Sequence, residues 1–295
     1  MKPVIFYFPG GEPFARSLGA QAGAELAQLH WHRFPDRESL ITLQVDCANR
    51  EVIIVCTLTD PDSKALPLYF SAATARELGA RRVGLVAPYL AYMRQDHRFN
   101  DGQARSAHEF AKFLSASFDW LVTVDPHLHR LSSLEEVFSI PAVAVSAMPA
   151  VTQWIRNHVN QPVLIGPDRE SAQWAERVAR SLDVPSVVLE KIRSGDREVK
   201  VSAPDPTILR RGTPVIIDDI ASSGRTLAET LRGLRSAGAP AVTCIIVHAL
   251  LAEAAELAIR EAGAAQVIST NTVPHATNHI DVVPLVAAAL QEFMR

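Results

Sequence analysis

Short apolar runs rich in Val, Ile and Leu alternate with amphipathic stretches from one end of the chain to the other. Val4–Phe8, Val52–Cys56, Val83–Ala87 and Leu121–Val124 have the length and β-branched content of buried strands. Between them the spacing predicts helices over Phe14 to Leu29, Leu66 to Leu78 with Gly79 behind it, and Ala107 to Phe118. The second half repeats the scheme. Strands are predicted at Val163–Ile165, Val187–Leu189, Val215–Ile217, Val242–Val247 and Val267–Ile268. Helices are predicted at Val151–His158, Ser171–Leu182, Leu227–Leu234, about Ala252–Glu261, and from Val283 onward. This alternation predicts an α/β protein with mainly parallel sheets flanked by helices. At 295 residues the chain has room for two domains. The boundary is expected between Ile140 and Pro149, giving residues 1–145 and 146–295.

The second half is organised around Gly212 to Leu227. An apolar strand, Val215–Ile217, is expected to end on two carboxylates, Asp218 and Asp219, followed by a loop of small residues from Ala221 to Thr226. Leu227, Leu231 and Leu234 then share one helix face, and Gly238 stops the helix. Ligands of open α/β sheets bind beyond the carboxyl ends of the strands. A small-residue loop opening a helix there presents backbone N–H groups and the positive helix end to a phosphate. Two acids beside it suit the cis-hydroxyls of a ribose or a hydrated magnesium ion. Phosphate plus diol indicates a sugar phosphate. Taken by itself, an acidic pair before a turn also reads as a capped strand end.

Composition narrows the setting. A net charge of −3 gives no general attraction to nucleic acid or to acidic membrane. No apolar segment has membrane-spanning length, and the N-terminal apolar run breaks at Pro9-Gly10 instead of forming a signal peptide. Cys47, Cys56 and Cys244 lack any Cys-x-x-Cys spacing, and the last two lie in apolar runs as buried thiols. A cytoplasmic, reducing compartment is the expectation.

Four further stretches carry chemistry. Phe34-Pro-Asp-Arg-Glu38 offers a flat apolar face to a base, with Asp36 and Glu38 as acceptors for an exocyclic amine; it also reads as a hairpin turn. Pro88 to Asp96 follows a strand, and there Arg94 can stack on a purine while Gln95 and Asp96 add polar contacts; the alternative is a solvated charge cluster running on through Arg98. Val124 to His129 ends another strand. His127 and His129 fall on one side if the chain stays extended, although no cysteine or Glu-x-x-His accompanies them for zinc. In Val188 to Val199, Lys191 and Arg193 can meet a polyphosphate, and the segment also reads as a charged hairpin.

The order and spacing of these stretches, with the Asp218 loop, resemble the ribose-phosphate pyrophosphokinase family over nearly the whole chain, its archaeal type in particular. Pro88-Tyr-Leu-Ala-Tyr-Met-Arg-Gln95, Gly166-Pro-Asp168, and Thr270–Pro274 with Asn278–Pro284 are similar to family segments. The resemblance implies two phosphoribosyltransferase-like domains, the first on the ATP side and the second on the ribose 5-phosphate side. It implies Phe34, Asp36, Glu38, Arg94, Gln95 and Asp96 on ATP, with the Phe34 loop reaching in from a neighbouring subunit of a homodimer or higher homo-oligomer. It further implies Asp218 and Asp219 on the ribose hydroxyls, and Ser222, Ser223, Gly224, Arg225 and Thr226 around the 5-phosphate. The resemblance also implies that His127 and Asp168 hold Mg²⁺ and that Lys191 and Arg193 clamp the transferring diphosphate. Three features depart from the family pattern: Leu128-His-Arg130, Arg169-Glu170, and Arg225 where a small residue is usual. A left-handed backbone at Arg225 would carry a steric cost. The implied activity is transfer of the diphosphoryl group of ATP to ribose 5-phosphate. The alternatives are a phosphoribosyltransferase, disfavoured by chain length, and a non-catalytic regulatory homologue.

Overall fold

The computed structural model describes residues 1–294 except 170, 190, 195–197, 202–205 and 210; side chains of 191–194, 198–201 and 206 also lie outside the described set. The chain forms two compact units, Met1–Ser146 with Val283–Arg295, and Ala147–Val282.

The first unit begins β1 (Val4–Tyr7), α1 (Glu12–Ala22), β2 (Glu25–Arg33), β3 (Ser39–Leu43) and β4 (Glu51–Val55). It continues α2 (Pro61–Glu77), β5 (Arg82–Ala87), α3 (Ser106–Ser117), β6 (Trp120–Val124) and β7 (Ala142–Val145). The sheet order is β3-β2-β1-β4-β5-β6-β7, parallel except for the antiparallel β2–β3 hairpin at its edge. The central strands are buried along their whole length because helices cover both faces, which is why they read as continuous apolar runs. One expected helix is corrected. The pattern from Phe14 to Leu29 breaks at Gly23, whose φ of 64° caps α1, and the following residues form β2. Ala27 and Leu29 face inward at a spacing of two, the strand period.

The second unit begins α4 (Met148–His158), β8 (Pro162–Gly166), α5 (Ala172–Leu182), β9 (Ser186–Val188), β10 (Lys191–Ser194), β11 (Glu198–Val201) and α6 (Pro206–Leu209). It continues β12 (Thr213–Ala221), α7 (Arg225–Ser236), β13 (Val242–Ala249), α8 (Glu253–Glu261), β14 (Ala264–Thr270) and β15 (Asn278–Ile280). A sheet in the order β15-β14-β13-β12-β8-β9 has parallel pairs throughout, and β10–β11 is a separate antiparallel ribbon. Leu227, Leu231 and Leu234 of α7 are all buried, with Ile216, Cys244, Ile246 and Ile259 in the same core. Each such leucine contributes about 1.5–3 kcal/mol of burial energy. The Cys56 and Cys244 thiols are pushed up to about 12 by burial, so neither is a reactive thiolate.

The closing helix α9 (Val283–Leu290) packs on α1, β6 and β7 of the first unit. Phe293 beyond it stacks on Trp120, ring centroids 4.8 Å apart at 9°. The two units therefore differ from 1–145 and 146–295 by this last segment and by Ser146.

Candidate active site

In the second unit, β12 does not stop before the acidic pair. It runs on to Ala221 because it pairs with β13 as far as Ala249, and this carries Asp218 and Asp219 inside the strand. Asp219 is 5% exposed, and its Oδ1 accepts the Ile220 N–H at 2.8 Å. Asp218 Oδ1 accepts the Asp219 N–H at 3.1 Å. Ser222 and Ser223 are exposed in the bend that follows, and Gly224 starts α7 in the left-handed region at φ 69°. The steric concern over Arg225 thus falls away. The chain reverses one residue earlier, on a glycine, and the exposed Arg225 is simply the first helical residue. The N-cap of α7 is Gly224, which has no side chain with which to cap the helix. Its first-turn N–H groups have no intrahelical acceptor and lie beside the positive helix end, which is the geometry an anion needs.

Asp168 follows β8 at the same sheet edge, since β8 lies parallel beside β12. It is half-buried and held in a turn: Ser171 N–H donates to Asp168 Oδ1 at 3.0 Å, and Asp168 N–H donates to Ser171 Oγ at 3.1 Å. The segment from Thr270 is a hydrogen-bonded frame. Thr270 and Thr272 hydroxyls donate to Val247 O at 2.7 and 2.9 Å, Asn271 Nδ2 donates to Asp281 at 2.7 Å, and buried His248 meets Thr272 Oγ1 at 2.9 Å. Lys191 and Arg193 lie on β10, opposite Val201 and Val199 of β11, so the charged-hairpin reading of this segment holds for the backbone. Their side chains lie outside the described residues.

In the first unit, Phe34 to Glu38 is the hairpin loop between β2 and β3, closed by Phe34 N–H to Glu38 O at 2.9 Å. Phe34 is 41% exposed and meets His32 edge-on at 4.5 Å. Asp36 and Glu38 are exposed, and line a cavity of about 600 Å³ with Arg33, Arg37, Asp62 and Phe70. Arg94 and Gln95 are exposed on the turn after β5. That turn begins at Tyr92, a left-handed residue at φ 66°, whose hydroxyl donates to Asp62. Asp96 behaves differently from its neighbours, being buried, ion-paired to Arg130 and in hydrogen-bond contact with His97. After β6, half-buried His127 and exposed His129 face each other with ring centroids 6.1 Å apart. Spacing gave no sign of the Arg130 partner, because the two residues are 34 positions apart.

Among the described residues no three His, Cys, Asp or Glu side chains gather to hold a metal by themselves. Magnesium, bound through one or two carboxylates plus substrate phosphates and water, fits an oriented carboxylate such as Asp168.

Residues 4–117 match the family model for the N-terminal domain of ribose phosphate pyrophosphokinase, and residues 133–284 match that for the phosphoribosyl transferase domain. A ribose-phosphate pyrophosphokinase of Methanopyrus kandleri is 34% identical over 95% of this chain and 96% of its own. The chain belongs to the ribose-phosphate pyrophosphokinase family. A second archaeal relative, the ribose-phosphate pyrophosphokinase of Saccharolobus solfataricus, is 35% identical over 81% of this chain and 82% of its own. The fold matches the crystal structure of phosphoribosylpyrophosphate synthetase from Mycobacterium smegmatis with a TM-score of 0.87, at 22% identity, covering 100% of this chain and 99% of that one. Family membership over both halves accounts for two α/β units and for the Asp218 loop together. Among the described residues no helix is long and apolar enough to cross a membrane.

Proposed function

We propose that this chain is a ribose-phosphate diphosphokinase. The anomeric hydroxyl of ribose 5-phosphate attacks the β-phosphorus of ATP, the bond from that phosphorus to the α-phosphate bridge breaks, and phosphoribosyl pyrophosphate and AMP leave. The observation that carries this reading is the family match over both halves of the chain, joined to an acidic pair near the end of β12 and a glycine-turned helix start three residues beyond Ala221, where that strand ends. Asp218 and Asp219 hold the ribose hydroxyls. The Ser222–Thr226 backbone, with the start of α7, receives the 5-phosphate. Arg94 stacks on adenine with Gln95 beside it, and Phe34, Asp36 and Glu38 cover the base of a neighbouring subunit in a homo-oligomer. Lys191 and Arg193 meet the diphosphate as charge shifts in the transition state; reactions of this type depend on positioning and cations more than on covalent help from the protein. His127 and Asp168 are the candidate ligands of Mg²⁺, which neutralises phosphate charge when bound. The first domain is assigned to ATP and the second to ribose 5-phosphate.

A coupled assay for AMP from ATP, ribose 5-phosphate and Mg²⁺ tests the reading. AMP that depends on ribose 5-phosphate is the expected result. Binding of both ligands without AMP would make the chain a non-catalytic homologue. Consumption of phosphoribosyl pyrophosphate with a base would make it a phosphoribosyltransferase.

A further inference from the structure

In the first unit, the two loops that carry Arg94 and His127 leave the same sheet edge, because β5 and β6 are parallel neighbours. One buried carboxylate joins them. The Asp96 side chain is 3% exposed, and its Oδ1 accepts from Arg130 Nη1 at 3.0 Å and faces His97 Nδ1 at 2.9 Å. Arg130, three residues past His127, is 49% exposed, so the guanidinium reaches in from solvent to the acid. Arg94 and Gln95 turn outward from the same segment. That segment is fixed at both ends. Gln95 N–H donates to Tyr92 O at 2.8 Å, and Ala107 N–H donates to Gln95 O at 3.2 Å at the start of α3.

We propose that Asp96 and Arg130 are positioning residues whose ion pair latches the Arg94–Gln95 turn to the His127 segment, and that neither touches the nucleotide. Burial raises the Asp96 carboxyl, but the hydrogen bonds and charges of His97 and Arg130 outweigh it and hold the group below the usual carboxylate range. The acid is therefore ionised at neutral pH and the latch is complete there. Removing Arg130 leaves the buried Asp96 with His97 alone, and removing the Asp96 charge releases the half-exposed Arg130 to solvent, so in either case the link between the two loops is lost. The choice of ATP as ligand rests on the diphosphokinase reading; the latch itself does not.

Asp96→Asn, Arg130→Ala, the double variant and Arg130→Lys, each in the full chain, decide the matter. ATP affinity is read by titration calorimetry with Mg²⁺ and no ribose 5-phosphate, and loop opening by amide exchange. Each single variant should bind ATP about tenfold more weakly, about 1.4 kcal/mol. The double should be no weaker than the worse single, Arg130→Lys should recover most of the loss, and ribose 5-phosphate affinity should be unchanged. Exchange should quicken across residues 94–103 and 126–132 in both singles while β4 to β6 stay protected. If the losses multiply to about a hundredfold in the double, Asp96 meets ATP directly and the proposal falls. Unchanged exchange in both loops also overturns it. A wild-type chain that binds no ATP would refute the ligand reading, and the exchange measurement would still judge the latch.

Discussion

Replacing Gly224 with alanine adds one methyl where β12 hands over to α7. The residue sits at φ 69°, and the new Cβ would lie 3.0 Å from Ile259 Cδ1 and 3.1 Å from the Ala255 carbonyl oxygen. A left-handed backbone costs a non-glycine residue about 1–2 kcal/mol. The stiffer unfolded chain returns about 0.4–1 kcal/mol of that. The Ile259 tip can turn aside but the carbonyl of α8 cannot, which adds about 1 kcal/mol of crowding. The net expectation is a loss of about 2 kcal/mol. Gly233, in the last turn of the same helix, has a helical backbone, and outside that helix's own backbone and its chain neighbours nothing lies within 4 Å of an added Cβ. There the same substitution should stabilise by about 1 kcal/mol, because glycine weakens a helix interior. Amide exchange in β12 and β13, read by mass spectrometry, reports the second unit without requiring two-state unfolding of the whole chain. Gly224→Ala should speed exchange of the best-protected amides and Gly233→Ala should slow it. A shift of the same sign in both variants would refute the assignment of the left-handed residue.

Arg225→Gly should change ribose 5-phosphate affinity by about tenfold or less, since the proposed phosphate contacts are backbone N–H groups; a loss of several hundredfold in calorimetry would make Arg225 a principal ligand. Gly84→Ala would set a Cβ 1.9 Å from Trp120 Cζ2 and drive the indole from Glu51, so unfolding measurements should show a loss above about 3 kcal/mol. Lys191→Ala should lower turnover about a hundredfold with little change in the KM for ribose 5-phosphate, and near-normal turnover would remove Lys191 from the mechanism. Co-expressed Phe34→Ala and Asp218→Ala chains, each inactive alone, should regain activity at about a quarter of the sites if two subunits share each one. Mixed assemblies as inactive as their parents would show that Phe34 serves its own subunit.

The central strands were legible because both their faces are buried, and α7 because Leu227, Leu231 and Leu234 repeat at helical spacing. The extent of β12 was not legible, since a strand runs as far as its partner pairs with it, and β13 pairs through Ala249. β2 was hidden by an alanine-rich lead-in, and one left-handed glycine, Gly23, converts the pattern from period 3.6 to period 2. Most candidate residues come to exposed loops or strand ends, where local sequence sets their place. Asp96 is named by the sequence as a nucleotide contact, but its ion pair with Arg130 is not legible there, because no local spacing reveals a partner 34 positions away.

The return of Val283–Arg295 to the first unit also sets an order of assembly on the ribosome. Domains ordinarily fold from the N-terminus as they emerge. Here α1 waits for α9, and Trp120 for Phe293, until all of Ala147–Val282 has been made. The nascent first unit thus carries an uncovered apolar patch throughout synthesis of the second, and the unit that starts first is the last to be sealed.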